Sequence, residues 1–154
     1  MRRLAVLLAL TILSACASST KVPIIPPRVE IRQTFGPADA GYPRGPIRVQ
    51  YELFIANESS EALNLQRVEV ESVGTGAYIL LRDTIYIKET IEPMSEKAVR
   101  FWARANATAG GTGAGRAGIG EPVTVRGVLY FTTDLGPVRK IFMKNLSQGQ
   151  SSRE

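Results

Sequence analysis

From Val29 onward, apolar residues recur at every second position in short runs separated by turn residues. Val29, Ile31, Gln33 and Phe35 alternate with Glu30, Arg32 and Thr34, after which Gly36-Pro37, Gly41, Pro43 and Gly45-Pro46 mark a loop. The longest run sets Ile47, Val49, Tyr51, Leu53 and Ile55 against Arg48, Gln50, Glu52, Phe54 and Ala56, and ends in the polar turn Asn57-Glu58-Ser59-Ser60-Glu61. A period of two sends successive side chains to opposite faces, so each run predicts a strand with one buried face.

Beyond Ala62 the phase slips, with Leu63 and Leu65 on one parity and Val68 and Val70 on the other. A one-residue slip turns every side chain over, so either a β-bulge lies near Gln66-Arg67 or the strand changes sheets there. Further strands are predicted over Tyr78 to Leu81, Thr84 to Glu89 and Ala98 to Arg104, and the last places Arg100, Trp102 and Arg104 opposite Val99, Phe101 and Ala103. Val123 to Thr132 and Val138 to Leu146 predict a hairpin around Thr133-Asp134-Leu135-Gly136-Pro137. No window of the mature chain carries a helical stripe. About seven short strands with regularly spaced turns predict an all-β, immunoglobulin-like antiparallel β-sandwich, with a small barrel as the competing architecture.

The first residues follow a different logic. Met1-Arg2-Arg3 precedes an apolar segment from Leu4 to Leu13, too short for a permanent span of about 20 residues and built like a removable secretory signal. It ends in Leu13-Ser14-Ala15-Cys16, which resembles the lipobox of bacterial lipoproteins. That resemblance implies cleavage before Cys16, a thioether-linked diacylglycerol on its sulfur and an acyl chain on its new amino group. Several chains anchor far more firmly than one, at about 0.8 kcal/mol per buried methylene. The alternative is an ordinary secretory signal with an incidental cysteine. Ala17 and Ser18 follow Cys16 without an intervening Asp, a pattern similar to that of lipoproteins sorted to the outer membrane of a bacterial envelope. The chain thus divides into a signal peptide (1–15), a lipidated Cys with a Pro-rich tether (16–28), a sandwich domain (29–146) and a polar tail (147–154).

Composition narrows the chemistry. The 154 residues include one Cys and no His, which excludes an intramolecular disulfide framework and removes the commonest general base and zinc ligand. The formal charge of +5 falls to +3 once Arg2 and Arg3 leave with the signal, a balance suited to anionic headgroups or periplasmic polymers and too small to indicate nucleic acid. Gly113-Ala114-Gly115-Arg116-Ala117-Gly118 spells a dinucleotide fingerprint, but Gly120, Pro122 and a β-branched run follow where a helix is required. A flexible inter-strand loop is the better reading. Glu69 with Glu71, and Glu89 with Glu92, lie on alternating strands as solvated carboxylates, and Asp39, Asp83 and Asp134 read as turn residues without calcium-loop spacing. No metal or other cofactor is expected.

The candidate binding surface combines Arg100, Trp102 and Arg104 with Arg126 and Tyr130 of a later strand. Were those strands neighbours, cations and aromatic rings would interleave on one exposed face and grip anionic sugars, peptides or headgroups. The competing role is structural, with Trp102 covering the sandwich and arginine stems packed along it.

The order of a strand ending in Asn57, Leu63-Asn64-Leu65, Thr90-Ile91-Glu92-Pro93-Met94-Ser95-Glu96 and Val125-Arg126-Gly127-Val128-Leu129-Tyr130 resembles the water-stress domain of group 2 late-embryogenesis-abundant proteins. This resemblance implies a β-sandwich with a protective role in desiccation. The chain departs from that family's Asn-Pro-Asn turn with Asn57-Glu58-Ser59. Two functions are therefore expected: a non-enzymatic, lipid-anchored envelope module that binds another envelope protein or polymer, or a water-stress domain without a fixed partner.

Overall fold

The computed structural model describes residues 25–37, 45–108 and 121–147. Among these, eight strands form two four-stranded antiparallel sheets that pack face to face. The strands are β1 (Arg28–Phe35), β2 (Gly45–Asn57), β3 (Leu63–Val73), β4 (Tyr78–Leu80), β5 (Asp83–Ile91), β6 (Ser95–Ala107), β7 (Val123–Thr133) and β8 (Gly136–Leu146). The first sheet has the order β1-β2-β6-β4 and the second β5-β3-β7-β8. Among the described residues each sheet ends in two edges without a strand neighbour, so the immunoglobulin-like sandwich is realised and a closed barrel is not.

The period-two patterns account for the core. Val49, Tyr51, Leu53 and Ile55 of β2 and Val99, Phe101 and Ala103 of β6 face Leu63, Leu65, Val68 and Val70 of β3 and Val125, Leu129 and Phe131 of β7, all buried. Burial of each large side chain contributes about 1.5–3 kcal/mol. The phase slip in β3 is a bulge: its register against both β5 and β7 shifts between Leu65 and Arg67, which returns Val68 and Val70 to the core.

A second bulge departs from strict alternation. The β1–β2 register shifts between Gln33 and Phe35, so Phe35 pairs with outward-facing Gln50 instead of continuing the inward row of Val29, Ile31 and Gln33. On β7 and β8, Gly127 faces Phe142, whose ring occupies the space a Cβ on Gly127 would need; such a Cβ would also lie 2.8 Å from the Glu69 carbonyl.

Two polar devices close the interior. Tyr78 reaches from β4 to donate its hydroxyl to Gln33 Oε1 at 2.6 Å, and the Tyr51 hydroxyl lies 2.7 Å from that of Tyr78. Because the single Tyr78 proton goes to Gln33, Tyr51 donates to Tyr78, and both phenols are satisfied. At the other end, Asn57 donates to the carbonyls of Glu61 (2.8 Å), Glu92 (3.0 Å) and Ile91 (3.2 Å). Its Oδ1 accepts from Ser59 N and Oγ at 3.1 and 2.6 Å. One carboxamide thereby ties the β2–β3 turn to the β5–β6 turn, and Met94 N donates to Ser59 O in the same junction.

Candidate functional site

The outward residues of the first sheet form a lattice set by its register. Arg48 stands beside Arg104, Gln50 lies between Phe35 and Trp102, and Glu52 lies between Arg32 and Arg100. Four arginines therefore surround a single glutamate over three successive rows. The Trp102 side chain lies across this face, with its residue 39% exposed. Phe35 meets the Trp102 ring edge-on at 5.6 Å, and the Arg48 guanidinium sits 5.7 Å from the same ring. Arg32 stacks on Phe54 at 4.6 Å.

The cations here differ in their partners. Arg100 donates to Glu52 at 2.7 Å, while Arg104 grips Asp83 through its guanidinium at 3.2 Å and through its backbone N at 3.3 Å. Asp83 was expected in a turn; it opens β5 and covers β6 where β4 has ended, and the Arg104 hydrogen bond holds its carboxyl below the usual carboxylate range. Among the described residues, Arg32 and Arg48 have aromatic neighbours and no carboxylate partner.

Arg126 and Tyr130 do not join this surface, which corrects the composite face expected from the sequence. They project outward from β7 in the second sheet, whereas Arg100, Trp102 and Arg104 project outward from β6 in the first. In a two-layer sandwich, the outward faces of the two sheets point in opposite directions, and the connection from β6 to β7 crosses between layers. On its own face, Arg126 is paired with Glu71, and that hydrogen bond holds the Glu71 carboxyl low. Tyr130 lies 3.8 Å beneath the Arg67 guanidinium, which also reaches Glu69 at 3.3 Å. A shallow depression of about 210 Å³ between Glu69, Arg82, Arg126 and Ile141 is lined by these mutually neutralised charges.

The Glu and Asp side chains singled out as solvated residues are mostly held by cations: Glu69 by Arg67 and Arg82, Glu71 by Arg126, Glu89 by Lys97 at 2.7 Å across the two sheets. Carboxyls held low, as Glu71 and Asp83 are, stay ionised and make poor general acids. Cys16, Asp39 and the glycine fingerprint of 113–118 lie outside the described residues; the strands on either side of that loop, β6 and β7, are both described. Alternation alone could have marked Arg32, Arg48 and Phe54 as outward, but Phe35 could not be found that way because its bulge reverses the parity.

No protein-family model and no curated protein matches the chain. Fourteen solved chains match it in structure. One, the X-ray structure of Northeast Structural Genomics Consortium target SoR45, is similar at a TM-score of 0.50 and 12% identity, over 83% of this chain and 91% of that one. Another, the putative ApaA protein from Bordetella pertussis, is matched at a TM-score of 0.40 and 13% identity, over 82% of this chain and 100% of that one. At such identities the SoR45 likeness establishes the sandwich fold and nothing of its activity.

Proposed function

We propose that the chain is a lipid-anchored lipoprotein of a bacterial envelope, held at the periplasmic face of the outer membrane, whose sandwich is a non-enzymatic binding or accessory module. The observation that carries this reading is the placement of the lone cysteine, at the end of Leu13-Ser14-Ala15-Cys16 and after a basic start and an apolar run. Thioether formation and N-acylation give that residue a use that needs no pairing partner.

The edges support association with another envelope protein by strand addition. Both edges carry charges at inward positions, but Glu89 of β5 is paired with Lys97, whereas Lys140 and Lys144 of β8 have no carboxylate partner among the described residues, and uncompensated inward charges oppose strand addition. On the opposite edge, β5 turns Ile85 and Ile87 inward and has no strand on its outer side among the described residues, although the Thr90 and Ile91 carbonyls already accept from Lys97 and Asn57. An incoming strand would extend the second sheet there and bury these isoleucines further.

Mass spectrometry of the mature N-terminus tests the anchor: a triacylated Cys16 is expected, and an unmodified Ala17 or a free Cys16 thiol refutes it. Photocrosslinkers at Tyr86 and at Met143 test the edge, with one stoichiometric envelope protein captured from Tyr86 and none from Met143. Absence of any partner, together with a drying-sensitive deletion strain, would favour the water-stress function instead.

A further inference from the structure

We infer that the outer face of the β1-β2-β6-β4 sheet is a membrane-facing surface that rests on anionic lipid headgroups. The inference rests on the lipoprotein reading for its geometry, since Cys16 stands twelve residues before Arg28 and that length spans at most about 40 Å. The tether leads into β1, the edge strand of this sheet, so the bilayer lies within reach of this face.

The chemistry of the face matches a headgroup layer. Over three rows it sets Arg32, Arg48, Arg100 and Arg104 against Glu52, with Asp83 adjoining from β5, and the next two rows add Arg28, Glu30 and Glu96. Arg32 and Arg48 keep their donors free of carboxylates among the described residues while their guanidinium carbons lie 4.6 and 5.7 Å from the ring centroids of Phe54 and Trp102. A guanidinium presented in this way offers a rigid fork to lipid phosphate. Trp102 adds what an interface favours, an amphipathic ring at the depth of the headgroups, and Phe35 packs edge-on against it as apolar area. The second sheet differs in that Arg67, Arg82 and Arg126 are tied to Glu69 and Glu71 on the same face, while Lys88 and Arg139 stand outward there without a carboxylate partner among the described residues.

Trp102 is the only tryptophan in the chain, so its fluorescence reports on this face directly. The full mature protein, held through its anchor in vesicles of brominated phosphatidylcholine with or without phosphatidylglycerol, is the test. Trp102 emission should shift to the blue and be quenched in the vesicles containing phosphatidylglycerol, and high salt should reverse both effects. Each arginine near an anionic surface is worth about 1 kcal/mol, so Arg32→Gln with Arg48→Gln should lower the face-down population ratio about 30-fold. Quenching should then fall to the zwitterionic level while the far-ultraviolet circular dichroism is kept.

Equal quenching with and without phosphatidylglycerol overturns the inference. So does a bromine effect on a fluorophore at position 143 with none on Trp102, which would turn the second sheet to the bilayer. Shielding of Trp102 only when a copurified protein is present also overturns it, in favour of a protein surface. If the N-terminus proves unacylated, the anchor fails separately, and cosedimentation of the same protein with phosphatidylglycerol vesicles still decides whether this face binds them.

Discussion

Replacing Asn57 by Ala is expected to cost far more than a surface turn residue should. Asn57 is 1% exposed, and its carboxamide serves three carbonyls with two protons while its oxygen accepts twice from Ser59. Removing it strands the buried N–H of Ser59 and the buried carbonyl of Ile91, whereas water can reach the carbonyls of Glu61 and Glu92. Two unsatisfied buried groups at about 1–3 kcal/mol each, with partial relaxation, give an expected loss of about 3–4 kcal/mol. That is a large share of the roughly 5–15 kcal/mol typical of a domain. Urea unfolding followed by Trp102 fluorescence should show the midpoint falling by roughly 2 M for a slope of about 1.5–2 kcal/mol/M. Asn57→Asp should be worse at neutral pH, because an ionised carboxylate would face three carbonyl oxygens. Its folded-state pKa would be raised, so its stability is greatest below the unfolded value of about 3.9 and is lost as pH rises through the folded value. A loss below about 1 kcal/mol for Asn57→Ala, or an Asn57→Asp variant as stable at pH 7 as at pH 3.5, would refute the clamp.

Met94 holds φ at 53° in the turn after Pro93, and its side chain is exposed, so Met94→Gly should stabilise the domain by about 0.5–1 kcal/mol, read as a rise in Tm. Burial raises the Tyr78 phenol to about 12 and pushes Tyr51 well above its ordinary 10.0. Folded pKa values above the unfolded one mean that this stability is complete below pH 10 and is lost as pH rises toward 12; absorbance at 295 nm should show these two tyrosines ionising only as the chain unfolds. Arg104 and Arg126 lower the Asp83 and Glu71 carboxyls, so the contribution of these pairs is present above their ordinary values of 3.8 and 4.5 and is lost as pH falls through the lowered ones. Arg104→Met with Arg126→Met should flatten that acid limb in a thermal-unfolding series, and an unchanged acid limb would show that the two pairs do not shape it.

Much of the sandwich was legible because its physics is local. Strict alternation in β2 and β6 determines which residues can be buried, and the parity change between Leu65 and Val68 left a bulge or a change of sheet, of which the β3 register contains the bulge. The bulge at Phe35 gave no such sign, since an aromatic residue at the next inward position continues the pattern whether or not the backbone turns it out. Asn57 read as one polar residue in a polar turn, because its significance comes from the Ile91 and Glu92 carbonyls, more than thirty residues away.

By itself, the amino-acid order determined the strand periodicity, the class of fold, the absence of histidine chemistry and the position of the single cysteine behind an apolar run. Which strands became neighbours was decided only in three dimensions. Arg100, Trp102, Arg104, Arg126 and Tyr130 each have the outward parity that alternation assigns, yet β6 and β7 lie in different layers and their outer faces look away from each other. Parity is a property of one strand, set by its pleat, whereas the sharing of a face depends on pairing and on how chain connections cross between sheets.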